Sequence, residues 1–385
     1  MNRLRKIASA VLVIIMTSCA APAKKNEEIV FFPPAPELPR IQYLTYYTGL
    51  KDIEEESAFE RFILGAKQDR RVDKPYGVGI YDGKIYVCDT NSTVIVFDLK
   101  EKTYGPLKGA KGKGKLVQPI NISIEEGGIK YVTDPIRGQV VAFDRNDEYL
   151  KAYGMTVKWK PVDAVSFEER LYVADIMNGA VRVFDKQSGE IVKSIGDSGD
   201  PEERLDRPTN LAFDRDGYLY AADVGRFQVV KFDRDGRFIS TFGKLGDSTG
   251  HFARPKGIAV DREGRLYAVD AAFDNVQIFN KNGRPLLFFG LDEPGPGNFE
   301  LPAKVVIDYN NMQYFQKYAQ PDFEIEYLIL VTSQVGDRAV NVLGYGQEKG
   351  KRYPTEEEIL KSIEEKRQKE LEKLEKSGAK DDDRQ

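Results

Sequence analysis

Only one histidine, His251, stands in the 385 residues, so no site needing two or three imidazoles can be built from the chain. Ser–His or Cys–His nucleophilic chemistry would have to run through that single ring, in Ser248-Thr-Gly-His-Phe252. The carboxylates are more patterned. Asp89, Asp134, Asp175, Asp223 and Asp270 close the runs YVCD, YVTD, YVAD, YAAD and YAVD, and Ser333 takes the corresponding place in a sixth run. Such acids could face a ligand. They could equally cap their own turns by accepting backbone N–H bonds, and repetition in every unit is what capping predicts. Polar residues follow them: Asn91, Arg137, Asn178, Arg226, Asn275 and Arg338. Three arginines on one face suit carboxylates or an anionic glycan, or else neutralise the neighbouring aspartates in surface pairs. Together these asparagines, arginines and aspartates form the candidate binding face.

Two local patterns are coincidental. Gly109–Leu116 matches G-x₄-G-K, but Leu116 stands where a Mg²⁺-binding Ser/Thr is required. Asp214–Gly217, Asp233–Gly236 and Asp261–Gly264 have their glycine too early for a calcium loop and read as tight hairpins.

The elements that carry these residues repeat. Prolines at 75, 119, 161, 208, 255 and 302 recur at intervals of 44, 42, 47, 47 and 47. After each proline comes one β-like run, then the run ending in Asp, then a run ending on Phe97, Phe143, Phe184, Phe232 or Phe279. A fourth run ends at Gly105, Gly154, Gly196, Gly243 or Gly290. Four short strands in about 45 residues is the arithmetic of a propeller blade. The sixth unit is irregular. Its Pro-to-Ser spacing is 31 against 14 or 15 elsewhere, which places an insertion around 310–326. It stops at Gly346 without a fourth run, and residues 40–48 supply the missing strand and close the ring.

The pattern Pro-x-[Gly/Asn/Asp], Tyr-Val-Ala-Asp, Val-x-Val-Phe-Asp resembles the NHL repeat over residues 40–346. The resemblance implies an all-β, six-bladed β-propeller (NHL-type), its ring closed by an N-terminal strand completing the last blade, with a short C-terminal helix. NHL propellers include RNA-binding and protein-binding modules, receptor sensor domains and a zinc lyase; related six-bladed propellers include calcium-dependent lactonases. The lyase uses several histidines, from which this chain departs. The lactonases bind calcium in the central channel through Glu, Asn and Asp. Asn121, Asp163 and Asn210 match such positions, but Gly77, Gly257 and Lys304 do not, and Lys304 would repel a cation. The resemblance also implies that the face carrying the fourth-to-first and second-to-third loops binds. Trp159 and the tyrosines are candidates for stacking sugars.

Outside the repeat, residues 1–18 read as a signal peptide: Arg3, Arg5 and Lys6 precede a short apolar stretch. Met16-Thr-Ser-Cys19 resembles the lipobox of bacterial lipoproteins, which implies acylation of Cys19 and an outer-membrane address. Cys88 is then the one thiol left, and no intrachain disulfide is available. Residues 19–39 read as a Pro-rich tether, and 347–385 as a charged helical tail with a Thr355/Glu358 capping box. A long connection before Pro75 carries Phe59, Phe62 and Ile63 at helical spacing, a candidate partner insertion. With 57 Lys+Arg against 61 Asp+Glu, no basic excess points to nucleic acid. The expectation is a lipid-anchored, non-catalytic envelope propeller that binds protein or glycan partners and needs no cofactor beyond its lipid. The alternative is a calcium-dependent lactonase or hydrolase with a channel cation.

Overall fold

The computed structural model describes residues 29–53, 69–197, 199–290 and 295–355, with 357–359, 361, 365 and 368 in the tail. Cys19, Phe59, Phe62 and Ile63 lie outside the described residues.

Six antiparallel sheets form a ring. Strands β1 (Phe31–Phe32) and β2 (Ile41–Tyr47) belong to the last blade. The first blade is β3 (Pro75–Tyr81), β4 (Lys84–Asp89), β5 (Val94–Asp98) and β6 (Thr103–Pro106). The second is β7 (Asn121–Ile124), β8 (Lys130–Asp134), β9 (Gln139–Phe143) and β10 (Tyr149–Gly154). The third is β11 (Pro161–Phe167), β12 (Arg170–Asp175), β13 (Ala180–Asp185) and β14 (Ile191–Ile195). The fourth is β15 (Pro208–Phe213), β16 (Leu219–Asp223), β17 (Gln228–Phe232) and β18 (Phe238–Phe242). The fifth is β19 (Pro255–Val260), β20 (Leu266–Asp270), β21 (Asn275–Phe279) and β22 (Pro285–Phe289). The sixth is β23 (Pro302–Asp308), β24 (Phe323–Ser333) and β25 (Val340–Glu348), completed by β2.

The inner strand of every blade but the second starts at its proline, which suits a strand with one face of hydrogen bonding open to the axis. The inner strands β3, β7, β11, β15, β19 and β23 contact one another in turn, and β23 contacts β3. Ring closure follows from β2, whose Ile41 to Tyr47 pair with Tyr345 to Val340 of β25. Pairing chain-terminal strands in one sheet removes an open edge.

An apolar cluster fills every junction between neighbouring blades. The repeated phenylalanines Phe97, Phe143, Phe184, Phe232 and Phe279 are all fully buried there. Burying one such side chain is worth roughly 1.5–3 kcal/mol, so the repeat sustains the ring without a disulfide. Cys88 is buried in the junction of the first and second blades, and burial pushes its thiol pKa well up, which makes it inert.

One departure from the sequence expectation is physical. The Pro-rich segment does not remain a free tether to residue 39: Phe31 and Phe32 pair with Gln42 and Ile41, and Phe32 is buried against Phe289 at 6.1 Å. The insertion expected around 310–326 is present between β23 and β24. Two short 3₁₀ turns, Met312–Tyr314 and Gln316–Tyr318, bury Phe315 edge-on to Tyr47, and the remainder lengthens β24 to 11 residues. The tail capping box is formed: Thr355 N donates to Glu358 Oε2 at 2.9 Å, and Glu358 N donates to Thr355 Oγ1 at 3.2 Å.

Candidate functional site

The repeated aspartates end the second strand of each blade, and they are almost fully buried. Asp223 shows their use. Its carboxylate accepts N–H bonds from Asp206 at 2.7 Å, Arg207 at 2.9 Å and Gly225 at 3.1 Å. Asp89 accepts from Asp73, Lys74 and Asn91; Asp134 from Val117, Gln118 and Arg137; Asp175 from Lys160; Asp270 from Ala253, Arg254 and Ala272. The capping expected of them reaches beyond their own turns, because each also holds the connector entering its blade. Ser333 does this weakly in the sixth blade, its Oγ accepting from Glu300 N at 3.2 Å.

The arginines join the same clamps and do not neutralise the repeated aspartates, as surface pairing would require. Arg137 donates to the carbonyls of Lys113 and Lys115, Arg226 to that of Arg204, and Arg338 to that of Gly295. Asp134 and Asp223 already accept three backbone N–H bonds each, and the sixth blade has Ser333 in place of the acid, so the guanidinium groups reach connector carbonyls instead. In the alternate blades, Asn91 donates to Asp73 Oδ2, and Asn178 to the Lys158 carbonyl and Asp175 Oδ2. Asn275 pairs with Asp270 across the β20–β21 hairpin. The Gly109–Leu116 loop is one of these clamped connectors, with a 3₁₀ turn at Gly112–Gly114. His251 Nδ1 lies 3.2 Å from the Ser248 carbonyl, and Trp159 is buried with its indole donating to the Gly138 carbonyl at 2.8 Å. Trp159 therefore offers no face for a sugar.

The third residue of each inner strand, counting its proline as the first, forms a layer across the axis: Gly77, Asn121, Asp163, Asn210, Gly257 and Lys304. (In the second blade the strand proper begins at Asn121, two residues after Pro119.) Lys304 Nζ lies 2.8 Å from Asp163 Oδ2, and both side chains are buried. Leu211 N donates to the same oxygen at 2.9 Å. With its amide oriented to satisfy its neighbours, Asn210 accepts from Lys304 Nζ at 3.2 Å and from Asn121 Nδ2 at 3.0 Å. Close packing makes this layer possible. A Cβ on Gly77 would lie 2.6 Å from Asn121 Cα, and one on Gly257 would lie 2.5 Å from Lys304 Cα.

This layer does not fit a calcium ion. Calcium takes six to eight oxygens and strong negative charge. The layer offers one carboxylate, already paired with an ammonium, and glycine at two positions. Asn121 Oδ1 and Asp163 Oδ1 are buried without a protein donor, which suits water rather than a divalent cation beside Lys304. Among the described residues no group of three or more His, Cys, Asp or Glu side chains is placed to hold a metal.

The channel widens on the side away from the clamps. There the C-terminal halves of the inner strands enclose a cavity of about 690 Å³. Val165, Ala259 and Val306 are half-buried in its wall; Tyr81, Phe213 and Tyr309 lie further along the strands, with Arg145, Glu126 and Asn310 exposed among the lining. On the clamp side, the residues one step nearer each proline include Tyr76 and Lys256, both turned toward the axis: Lys256 Nζ lies 5.1 Å from the Tyr76 ring centre. Burial, with the charges of Arg254 and Lys74, lowers the Lys256 pKa to about 8, and burial raises that of Tyr76 to about 12. Sequence reasoning missed these two, although the proline register marks their place.

No protein-family model matches the sequence, and no curated protein matches it. Solved structures do. A protein of unknown function from Bacteroides thetaiotaomicron superposes with a TM-score of 0.53 at 15% identity, covering 71% of this chain and 70% of that one. A streptogramin B lyase superposes at 0.50 and 11% identity, covering 74% and 84%. A gluconolactonase from Xanthomonas campestris gives 0.49 and 15%, covering 81% and 99%. At these identities the likeness shows the fold alone: the chain is a six-bladed β-propeller.

Proposed function

We propose that this chain is an NHL-type propeller of a bacterial envelope lipoprotein, anchored through Cys19, that binds a protein or glycan partner without catalysing a reaction on it. The observation that carries this reading is the axial layer. Where a metal-dependent propeller needs several free oxygen ligands, this chain sets Lys304 against its one axial carboxylate, Asp163. What the propeller offers a ligand is then shape. The half-buried Val165, Ala259 and Val306 and the aromatic Tyr81, Phe213 and Tyr309 of the 690 Å³ cavity suit a side chain or a sugar face inserted from a partner. The polar residues of its mouth suit orientation by hydrogen bonds.

The test places a photo-crosslinking amino acid at Asn310, exposed beside the cavity, in the full lipidated protein in its native cells. The expected result is one discrete adduct that is lost when the cavity is filled by Ala259→Trp, at a small half-buried residue of the lining. The same probe on the outer edge, at Ile239, serves as control. No adduct at Asn310, or the same adducts at Ile239, overturns the reading.

A further inference from the structure

The clamp-side mouth of the channel carries exposed cationic side chains that form no ion pair with a described carboxylate. The residue before the blade proline is Lys74, Lys160, Arg207 and Arg254 in the first, third, fourth and fifth blades, and all four are exposed. Their backbone N–H groups are held by the aspartate clamps, which fixes their Cα positions around one rim. None of the four forms an ion pair among the described residues. The neighbouring acids are otherwise placed: Asp73 accepts from Asn91, Asp206 packs against Gly225, and the buried Asp89, Asp175, Asp223 and Asp270 are engaged with backbone N–H groups.

Lys256 lies inside this rim. It keeps 7% of its surface accessible, and its ammonium meets the Tyr76 ring in place of a carboxylate. A cation buried beside like charges is costly, and opposite charge from outside relieves that cost. The one acid deeper on the axis, Asp163, is taken by Lys304 at 2.8 Å. We propose that Lys256, Tyr76, Lys74 and Arg254 form an axial binding site for a compact oxyanion carrying two or more charges, a phosphate or polycarboxylate group. The ammonium and the guanidinium supply charge-assisted bonds, the Tyr76 hydroxyl donates one more, and Lys160 and Arg207 extend the attractive field. The site lies across the Lys304 layer from the aromatic cavity and does not depend on what the cavity holds.

Protonation supports the geometry. The groups facing Lys256 are Arg254 and Lys74, with Tyr76 beside them and Asp163 and Lys304 below. With the Lys256 pKa at about 8, anion binding draws a proton onto the amine at alkaline pH. Affinity for citrate, fully ionised throughout, therefore falls as pH rises from 7 to 9, whereas phosphate gains charge over the same range and shows a weaker fall.

The experiment is calorimetric titration of the detergent-solubilised full protein with inorganic phosphate, citrate and acetate at low salt. Parallel arms use vesicles of phosphatidylglycerol and of phosphatidylcholine. We expect one saturable site for phosphate or citrate, acetate at least tenfold weaker, and a loss of tenfold or more in Lys256→Met. Arg254→Gln provides a second variant on the rim and should lose several-fold. Absence of saturable binding by phosphate and citrate overturns the proposal. So does binding unchanged in both variants, or a response to phosphatidylglycerol vesicles alone, which would mark a surface patch instead of an axial site.

Discussion

Lys304 and Asp163 come from blades on opposite sides of the ring and meet across its axis, Nζ to Oδ2, at 2.8 Å. The pair spans 141 residues of sequence and ties the sixth blade to the third. It supplies from within the chain the positive charge that an axial carboxylate would otherwise seek from solution.

Removing one partner should be worse than removing both. Lys304→Met leaves the Asp163 carboxylate buried and uncompensated, at a cost of about 3–5 kcal/mol. The double variant Lys304→Met/Asp163→Leu should recover a large part of that loss. Urea unfolding of the two variants checks this; a double variant less stable than Lys304→Met contradicts it.

Gly257 lies against backbone, not against a flexible side chain. A methyl there would meet Lys304 Cα at 2.5 Å, the Ala303 carbonyl at 2.7 Å and Val305 N at 2.8 Å. Gly257→Ala should therefore force β19 and β23 apart and destabilise the ring by about 1–3 kcal/mol, as overpacking does. Gly105, with nothing within 4 Å, is the matched control, and Gly105→Ala should leave the melting temperature nearly unchanged.

Much of the fold was legible because the repeat reports it. The proline period marks the inner strands, and the Phe97-type positions mark the blade junctions. The missing fourth strand of the last unit was found in residues 40–48 because a ring cannot leave one edge open. Phe31–Phe32 was not legible, since two residues among prolines carry no period-2 signal. The site was legible only as a set of positions. Sequence identified Asn121, Asp163, Asn210 and Lys304 as equivalent, but which of them meet depends on ring diameter and side-chain length. For the arginines the sequence leaves two uses open, and the contacts that Arg137, Arg226 and Arg338 make with connector carbonyls lie outside what a count of charges can show.

The clamps should matter for stability more than for binding. Asp223→Ala removes an acceptor shared by three backbone N–H groups and leaves donors unsatisfied, at a cost of roughly 2–4 kcal/mol. Arg226→Ala removes an exposed contact to one carbonyl and should cost under about 1 kcal/mol. Thermal unfolding of the two variants should keep that order; the reverse order would show that the arginine carries the connector.

Lys256 predicts a pH dependence with a defined sign. Its folded pKa of about 8 lies below the ordinary lysine value, so between pH 8 and about 10.5 the unfolded chain binds the extra proton. Its contribution to stability therefore rises with pH through that window, by an amount on the order of 3 kcal/mol at most. In Lys256→Met the difference from the native protein should shrink as pH rises from 7 to 10. A constant difference would show that Lys256 titrates normally.

The axial account is tested most directly by calcium titration of the native protein and of Lys304→Asn, with thermal unfolding and elemental analysis on the same samples. The account predicts no bound calcium and no shift with calcium or EDTA in the native protein. It predicts no calcium-dependent rise in Tm for Lys304→Asn either, since one carboxylate and glycine at two positions still leave the layer short of the six to eight oxygens calcium takes. A stoichiometric calcium in the native protein, with a fall in Tm on adding EDTA, would contradict it and return the channel to metal-dependent chemistry.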